Sequence, residues 1–404
     1  MRRLTAIMIV LLFSLSLTQS ETNLVEQRIR RIENGLIAIK SPESMFQPDS
    51  EELAHPKTLA ERMALYKVPG VSIAVINENR IEWAKAYGTQ DVDTGAPATT
   101  ETIFEAASTS KLITSVMALN FVQRGLIDLD TNVNDYLKSW QVPDNEFTKD
   151  EKVTLRRILT HRAGMPATNF GFDQNVGIPT LIDVLSGRLP AQNSPAIPER
   201  VPGTQWLYSN VAYDVIQLML EDVTGKPFQQ VAEEIIFEPL EMSRSTFVYP
   251  LDSGKKQYEA MPHDAEGISR LPRMHPTAFA HGNLTTTPTD LARFTLELLL
   301  SYQGKSEKVL SQRFVKQLFQ KESDIDREAI PLPFYDGLGV FLMGEGKDLA
   351  FTHPGQNFPG FISWLMGWPE HGTAVIIMTN GAQGFTLVTE ILSAINLEYN
   401  KTGE

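Results

Sequence analysis

The 404-residue sequence contains no cysteine. This absence excludes disulfide bonds, thiolate metal sites, a cysteine nucleophile and an acylated lipoprotein cysteine. Positive charge is also scarce, because 36 lysines and arginines stand against 49 acidic residues and the formal net charge is −13. Nucleic acids and anionic membrane surfaces bind basic patches that offset phosphate charge, so this balance argues against both as partners.

Familiar catalytic patterns are missing as well. We find no G-x-S-x-G elbow, H-E-x-x-H helix, P-loop or Rossmann glycine set, which disfavours the enzyme classes that depend on them. His263, His275 and His281 lie near each other in the sequence but without the spacing of metal ligands. We therefore expect no metal and no cofactor.

The N-terminus has the pattern of an export signal. Arg2 and Arg3 precede an apolar run from Ala6 to Leu17, and the small residues of Thr18-Gln19-Ser20 follow it. The run is too short to span a bilayer comfortably, so residues 1–20 are predicted to be a cleavable signal peptide, with an uncleaved anchor as the alternative. Cleavage would leave 34 basic and 49 acidic residues, a charge of −15. We expect a periplasmic or secreted protein without membrane attachment.

The remaining chain, residues 21–404, is predicted to be one α+β domain. Its composition, 42% hydrophobic and 21% charged, is that of a soluble globular protein, and its length favours two lobes. A hairpin pattern covers residues 71–76 and 81–84, helical patterns dominate between 108 and about 300, and strand patterns return after 339. Strands at both ends imply one antiparallel sheet flanked by helices. The sheet lobe is expected at about 55–107 and 330–404, and the mostly helical lobe at about 108–300.

One candidate nucleophile stands out at the start of the helical part. Ser108 and Lys111 are three residues apart where a loop is predicted to run into a helix, so their side chains share a face. A buried lysine that is neutral can take the proton of a serine hydroxyl, and a helix N-terminus supplies N–H groups for an oxyanion. A second S-x-x-K, Ser253 to Lys256, lies in a polar stretch and is interpreted as coincidental.

Two later motifs follow in a recognisable order. Tyr208-Ser209-Asn210 comes about a hundred residues after Ser108, and His353-Pro354-Gly355 comes about 145 residues after that. S-x-x-K, Y-x-N and a basic residue-x-glycine form the ordered motif set of the penicillin-recognising serine hydrolases. From about residue 55 to 398 the chain resembles the class C beta-lactamase-related family, which includes beta-lactamases, D-alanyl-D-alanine carboxypeptidases, D-aminopeptidases and EstB-type esterases. Supporting segments are Val68-Pro69-Gly70-Val71, Leu159 to Gly164, Pro202-Gly203, Pro239 to Met242 and Gly282-Asn283-Leu284.

The resemblance implies a role for each motif residue. Ser108 would be the acylated nucleophile and Lys111 its activator. Tyr208 would be the general base, or would share the proton with Lys111. Asn210 would orient the lysine and the substrate amide.

The resemblance also implies an oxyanion hole formed by the backbone N–H groups of Ser108 and Gln356. Gly355 would let the substrate lie alongside its strand, since a side chain there would block the approach.

The departure from the family pattern is His353, where beta-lactamases and carboxypeptidases have lysine. A histidine near its free pKa is charged about a quarter of the time at pH 7, so recognition of a substrate carboxylate should weaken. A hydrogen-bonded structural histidine is the other interpretation. His161 is interpreted as part of a scaffold turn, and Trp206 and Phe358 as either cleft walls or core.

The sequence thus predicts an exported serine hydrolase whose partner is a small-molecule or peptide substrate. An ester or small amide, including a D-amino-acid peptide, is favoured. A class C-like beta-lactamase or D,D-carboxypeptidase is the first alternative. A non-catalytic peptidoglycan or beta-lactam sensor, or an assembly protein, is the alternative of another class.

Overall fold

The computed structural model describes residues 22–400 except for gaps at 41–44, 46–47, 49, 168–170, 173–174, 271–276 and 326–331. The expected signal peptide and His275 lie outside the described residues. The described residues form two compact units, one of residues 67–385 and one of residues 22–66 with 386–400. None of the helices within the described ranges is both long enough and apolar enough to cross a membrane.

The larger unit is built on one antiparallel sheet. The strands of the chain are β1 (Gly70–Asn77), β2 (Arg80–Asp91), β3 (Ala96–Pro97), β4 (Phe104–Glu105), β5 (Thr285–Thr286), β6 (Ser323–Asp324), β7 (Tyr335–Asp336), β8 (Phe341–Met343), β9 (Ala350–Asn357), β10 (Phe361–Trp368) and β11 (Thr373–Thr379). Nine of them form the sheet in the order β3-β2-β1-β11-β10-β9-β8-β7-β6, and β4 pairs with β5 separately. Strands from the two ends of this unit therefore meet in one sheet, as predicted.

The central strands are buried along nearly their whole length. β1, β10 and β11 are each buried at all but one position, which suits strands covered on both faces and explains their largely apolar sequence. The predicted hairpin is confirmed, and its turn places Glu78 and Asn79 at φ of 50° and 59°. Positive φ at both central residues matches the right-handed strand twist. β2 runs further than predicted because its half-exposed residues hide the strand pattern.

Helices fill the middle of the chain and both ends. They are α1 (residues 22–33), α2 (Ser50–Leu53), α3 (Leu59–Leu65), α4 (Ser110–Gln123), α5 (Leu155–Leu159), α6 (Leu181–Ser186), α7 (Asn210–Thr224), α8 (Phe228–Ala232), α9 (Ser253–Lys256), α10 (Pro288–Tyr302), α11 (Gln312–Leu318) and α12 (Gly384–Asn400). The predicted α+β fold is confirmed. α4 is buried on almost every side and packs against α7, whereas α10 lies against β1 and β11.

Local signals in the sequence explain the helix ends. α7 begins after Ser209, whose hydroxyl accepts the N–H of Ala212, and ends at Gly225, which has a φ of 68°. This left-handed conformation favours glycine. α10 begins after Thr287, whose hydroxyl accepts the N–H of Asp290, with Pro288 in its first turn. Both helices lie in the part of the chain, from 108 to about 300, where helical patterns were predicted to dominate.

The smaller unit contains α1, α2, α3 and most of α12. A buried ion pair joins α3 and α12, with Arg62 Nε 3.0 Å from Glu390 Oε2. The Tyr66 hydroxyl donates to the other oxygen of Glu390 at 2.6 Å. Since both charges are removed from water, each depends on the other for compensation.

The third motif lies within a strand. β9 runs from Ala350 to Asn357, so it contains His353, Pro354 and Gly355. β8 pairs with β9 only as far as Thr352. Beyond that point the described residues give β9 a strand partner on one side alone, which is where a proline without an N–H is tolerated.

Candidate active site

Ser108 lies in a strained turn. It is the middle residue of a 3-10 turn, Ala107–Thr109, which leads directly into α4. Ala107 has a φ of 48°, in the left-handed region that costs a non-glycine residue about 1–3 kcal/mol. The Ser110 hydroxyl donates to the Ala107 carbonyl at 2.6 Å and supports this conformation. Ser108 is half-buried at the surface of this turn.

Hydroxyl groups attach the turn to one face of the sheet. Thr109 Oγ1 donates to the His353 carbonyl at 2.9 Å and lies 2.7 Å from Ser363 Oγ. The Ser363 hydroxyl in turn lies 2.6 Å from the carbonyl of Ala106 and can donate to it. These contacts fix the position of the turn that contains Ser108 relative to β9 and β10. No sequence pattern marks Thr109 or Ser363, because a lone threonine or serine in a buried segment resembles any other.

Gly355 lies against the turn that contains Ser108. A Cβ at this position would lie 2.9 Å from the Ser108 nitrogen and 2.6 Å from Ser363 Oγ, and still closer to the Ala106 carbonyl. The glycine therefore lets the nucleophile turn approach the strand. The expectation that Gly355 also leaves room for substrate alongside the strand stays a prediction.

Lys111 is fully buried, and its amine has three oxygen neighbours. The nitrogen lies 2.5 Å from the His281 carbonyl, 2.7 Å from Asn210 Oδ1 and 3.4 Å from Ser108 Oγ. Burial lowers the pKa of Lys111 to about 7, and the nearby Asp214 carboxylate opposes that shift. Near neutral pH the amine can thus donate two N–H groups to the two carbonyl oxygens and direct its lone pair at the serine hydroxyl.

Tyr208 completes the group around the nucleophile. Burial raises the pKa of Tyr208 above its usual value, and the neighbouring Ser108 side chain opposes that shift. The Lys111 nitrogen lies 4.9 Å from the centre of its ring. A phenol with a raised pKa holds its proton at neutral pH, so the geometry suits Tyr208 as a proton donor and Lys111 as the acceptor.

The His161 ring packs against the Tyr208 ring. The two ring centroids lie 4.2 Å apart, and His161 Nδ1 accepts the N–H of Ser209 at 3.2 Å. Burial lowers the pKa of His161 well below its usual value, so the ring is neutral. The scaffold interpretation of this residue agrees with these contacts.

His353 is buried and uncharged. Only 2% of its surface is exposed, its Nδ1 lies 2.9 Å from the Pro354 carbonyl, and its ring packs against Phe341. Burial, reinforced by the charge of Lys111, lowers the pKa of His353 to about 3. The expected partial positive charge at pH 7 is therefore wrong.

Gln356 is exposed at the end of β9, opposite Ile362 of β10. It follows Gly355, which contacts the Ser108 turn, so the two amides expected to form the oxyanion hole belong to adjoining segments. The next residue, Asn357, donates to Glu105 Oε2 at 2.6 Å and to the Gly282 carbonyl at 3.2 Å. These bonds fix the end of β9 beside the nucleophile turn, and no pattern in the sequence predicted them.

An apolar cluster lies next to Tyr208. Its buried members are Ile325, Phe334 and Phe341, and the half-buried residues packed against them are Trp206, Tyr208, Leu332 and Met343. Trp206 Nε1 donates to Asp336 Oδ1 at 3.1 Å. Trp206 thus lines the site beside Tyr208, whereas Phe358 is 73% exposed and does not belong to the core. The second S-x-x-K motif forms α9, a short exposed helix.

The chain is similar to several known proteins. The chain is 24% identical over 317 residues to Protein flp of Staphylococcus aureus strain MW2, covering 78% of this chain and 60% of that protein. It is 30% identical over 199 residues to the unguisins hydrolase ungD of Aspergillus violaceofuscus, covering 46% and 32%. The chain thus spans less than two thirds of the length of either relative.

A solved structure shows the same fold. The octameric penicillin-binding protein homologue from Pyrococcus abyssi superposes with a TM-score of 0.70 at 24% identity, over 85% of this chain and 76% of that one. A family model described as Beta-lactamase matches residues 56–397. The chain therefore belongs to the Beta-lactamase family.

Proposed function

We propose that this protein hydrolyses a small ester or amide through an acyl-enzyme on Ser108. The observation that carries the proposal is the environment of the Lys111 amine. Two carbonyl oxygens, from His281 and Asn210, accept its N–H groups, and the Ser108 hydroxyl occupies the third direction. With a pKa of about 7, a substantial fraction of the amine is unprotonated at neutral pH.

Acylation begins when Lys111 takes the proton of Ser108 as Oγ attacks the substrate carbonyl carbon. The N–H groups of Ser108 and Gln356 would hold the oxyanion that forms. As the bond to the leaving group breaks, Tyr208 donates its proton to that group and regains one from the Lys111 ammonium. Both side chains return to their starting state, and the serine carries the acyl group.

Deacylation uses the same residues in reverse. A water molecule gives its proton to the Tyr208 and Lys111 pair as its oxygen attacks the acyl carbon. The proton returns to Ser108 Oγ when the acyl–serine bond breaks. Since both half-reactions use this pair, loss of either residue should slow both.

The charge of the site favours an uncharged acyl group. His353 is neutral and buried, so it supplies no cation where beta-lactamases and carboxypeptidases have a lysine. The cluster that contains Trp206, Tyr208 and Met343 adds apolar surface beside the nucleophile. An ester or a small amide, including a D-amino-acid peptide, fits such a site better than a substrate held by a free carboxylate.

We further propose that the mature protein begins after residue 20 and is periplasmic or secreted. The signal-like sequence of residues 1–20 supports this proposal. N-terminal sequencing of protein recovered from the periplasm and from the medium tests it. A cytoplasmic protein that retains Arg2 and Arg3 would contradict it.

Intact-mass spectrometry tests the activity. Purified protein is mixed with a short-chain p-nitrophenyl ester and, separately, with a fluorescent penicillin, alongside Ser108→Ala as the matched control. We expect the ester to add an acyl mass to Ser108 that then disappears, and the penicillin to react poorly. A stable penicillin adduct would favour a sensor, rapid penicillin turnover a beta-lactamase, and no adduct above the Ser108→Ala background a binding protein without turnover.

A further inference from the structure

A buried carboxylate–imidazole pair lies behind Lys111. Asp214 Oδ1 is 2.9 Å from His281 Nδ1, and Asp214 is completely buried while His281 is 6% exposed. The backbone carbonyl of the same His281 accepts a hydrogen bond from Lys111 at 2.5 Å. A continuous chain of contacts therefore leads from the carboxylate through His281 to the catalytic amine.

Helix α7 supplies both ends of this arrangement. Asn210 and Asp214 are four residues apart, so they occupy the same face one turn from each other. Asn210 takes one N–H of Lys111, and Asp214 holds the residue that takes another. One rigid helix thus sets the positions of the oxygens that orient the amine.

Asp214 also stands out by its charge. The titratable groups around the Lys111 amine come from four segments: His161, Tyr208, Tyr213, Asp214, His281 and His353. Among the described residues, Asp214 supplies the negative charge that raises the pKa of Lys111 against the effect of burial. Its second oxygen, Oδ2, is buried and accepts no hydrogen bond from the described residues, so the charge is incompletely compensated by local donors.

We propose that Asp214 and His281 are positioning residues for Lys111. The Asp214 carboxylate fixes His281 so that its carbonyl holds the amine against Ser108, and its charge keeps the amine basic enough to accept the serine proton. This inference rests on the proposed hydrolase function. Neither residue contacts the substrate in this assignment, and both act through Lys111.

The pH dependence of Ser108 labelling tests the charge of Asp214. The rate of labelling by a fluorophosphonate probe should rise with pH as Lys111 loses its proton. Asp214→Asn keeps the shape of the side chain but removes the charge. The rising limb of the pH profile of labelling should therefore move to lower pH by at least about 0.5 unit. Asp222→Asn is the matched control, since Asp222 lies on α7 but is bonded to the surface residues Lys138 and Ser139. Its limb should stay at the wild-type position.

Two substitutions at His281 test the positioning independently, even if Asp214→Asn does not fold. His281→Ala removes the side-chain donor to Asp214, and we expect kcat/KM to fall by about tenfold or more with little change in KM. His281→Gln retains an N–H donor and should recover most of that loss. Circular dichroism melts check that each variant is folded.

The outcomes separate the two proposals. If wild-type Ser108 is not labelled at any pH, the hydrolase proposal fails. If it is labelled but the limb in Asp214→Asn coincides with that of wild type and Asp222→Asn, the charge role of Asp214 is overturned. If folded His281→Ala retains full activity, the positioning role of His281 is overturned.

Discussion

The Lys111 amine and the Asn210 side-chain oxygen lie 2.7 Å apart, although 99 residues separate them in the sequence. Both residues stand in the first turn of a helix, α4 and α7 respectively, and these two helices pack against each other. The S-x-x-K and Y-x-N motifs therefore lie close together because the packing of α4 against α7 brings the first turns of these two helices together. The protonation state of Lys111 therefore depends on how these two helices pack.

The first prediction concerns the wild-type pH profile. The amine must be unprotonated to accept the serine proton, so kcat/KM should rise as pH increases through the Lys111 pKa of about 7. Below that value the charged amine predominates, and activity should fall about tenfold per pH unit. Initial rates of ester hydrolysis between pH 5 and 9 measure this limb. A profile that is flat between pH 6 and 8 would exclude Lys111 as the base.

Asn210→Asp should move the same limb in the opposite direction from Asp214→Asn. A carboxylate 2.7 Å from the amine favours the charged form and raises the pKa of Lys111, by about one unit or more. At pH 7 activity should drop, and it should recover at higher pH. Asn210→Ala serves as the control, because it weakens the orientation of the amine without adding charge. Its activity should be low at every pH.

His353→Gln should leave the pH profile between 5 and 8 unchanged. The histidine is already neutral throughout that window, since its pKa is about 3. Glutamine has a similar size and can donate to the Pro354 carbonyl as the imidazole does. The comparison uses full profiles of both proteins with one ester. Disappearance of an ionisation between pH 5 and 8 in the variant would show that His353 titrates there.

Gly355→Ala should damage both stability and activity. The added Cβ would lie 2.9 Å from the Ser108 nitrogen and closer still to the Ala106 carbonyl, so the nucleophile turn must move away from β9. We expect a loss of about 1–3 kcal/mol in the free energy of unfolding and of about a hundredfold in kcat/KM. Gly254→Ala in α9 is the control, because its Cβ meets only the Asp252 side chain. Equal melting temperatures for Gly355→Ala and wild type would contradict the close contact.

Sequence patterns predicted the parts of the site that depend on residue type and spacing. The three-residue interval predicted that Ser108 and Lys111 share one face, and the resemblance to the class C beta-lactamase-related family implied that Asn210 orients the lysine. The alternation of strand and helix patterns predicted the sheet that unites the two ends of the larger unit.

What the sequence did not predict depends on contacts between distant segments. A backbone carbonyl, such as that of His281, accepts a hydrogen bond whatever its side chain, so no residue type marks it. The burial of His353 by Phe341 depends on the packing of β8 beside β9. Likewise the left-handed conformation of Ala107 is imposed by its surroundings, since alanine has no intrinsic preference for it.

The pairing of β1 with β11 sets a time scale for folding. Val71 pairs with Thr379 and Ile76 with Ala374, so the middle of the sheet joins residues about three hundred positions apart. At a synthesis rate of about 5–20 residues per second, β1 waits on the order of 15–60 seconds before its partner is made. During that interval the hairpin of β1 and β2 has an open apolar edge. Closure of the central sheet must therefore follow the synthesis of β11, and the nucleophile turn gains its support on β9 and β10 late in the same process.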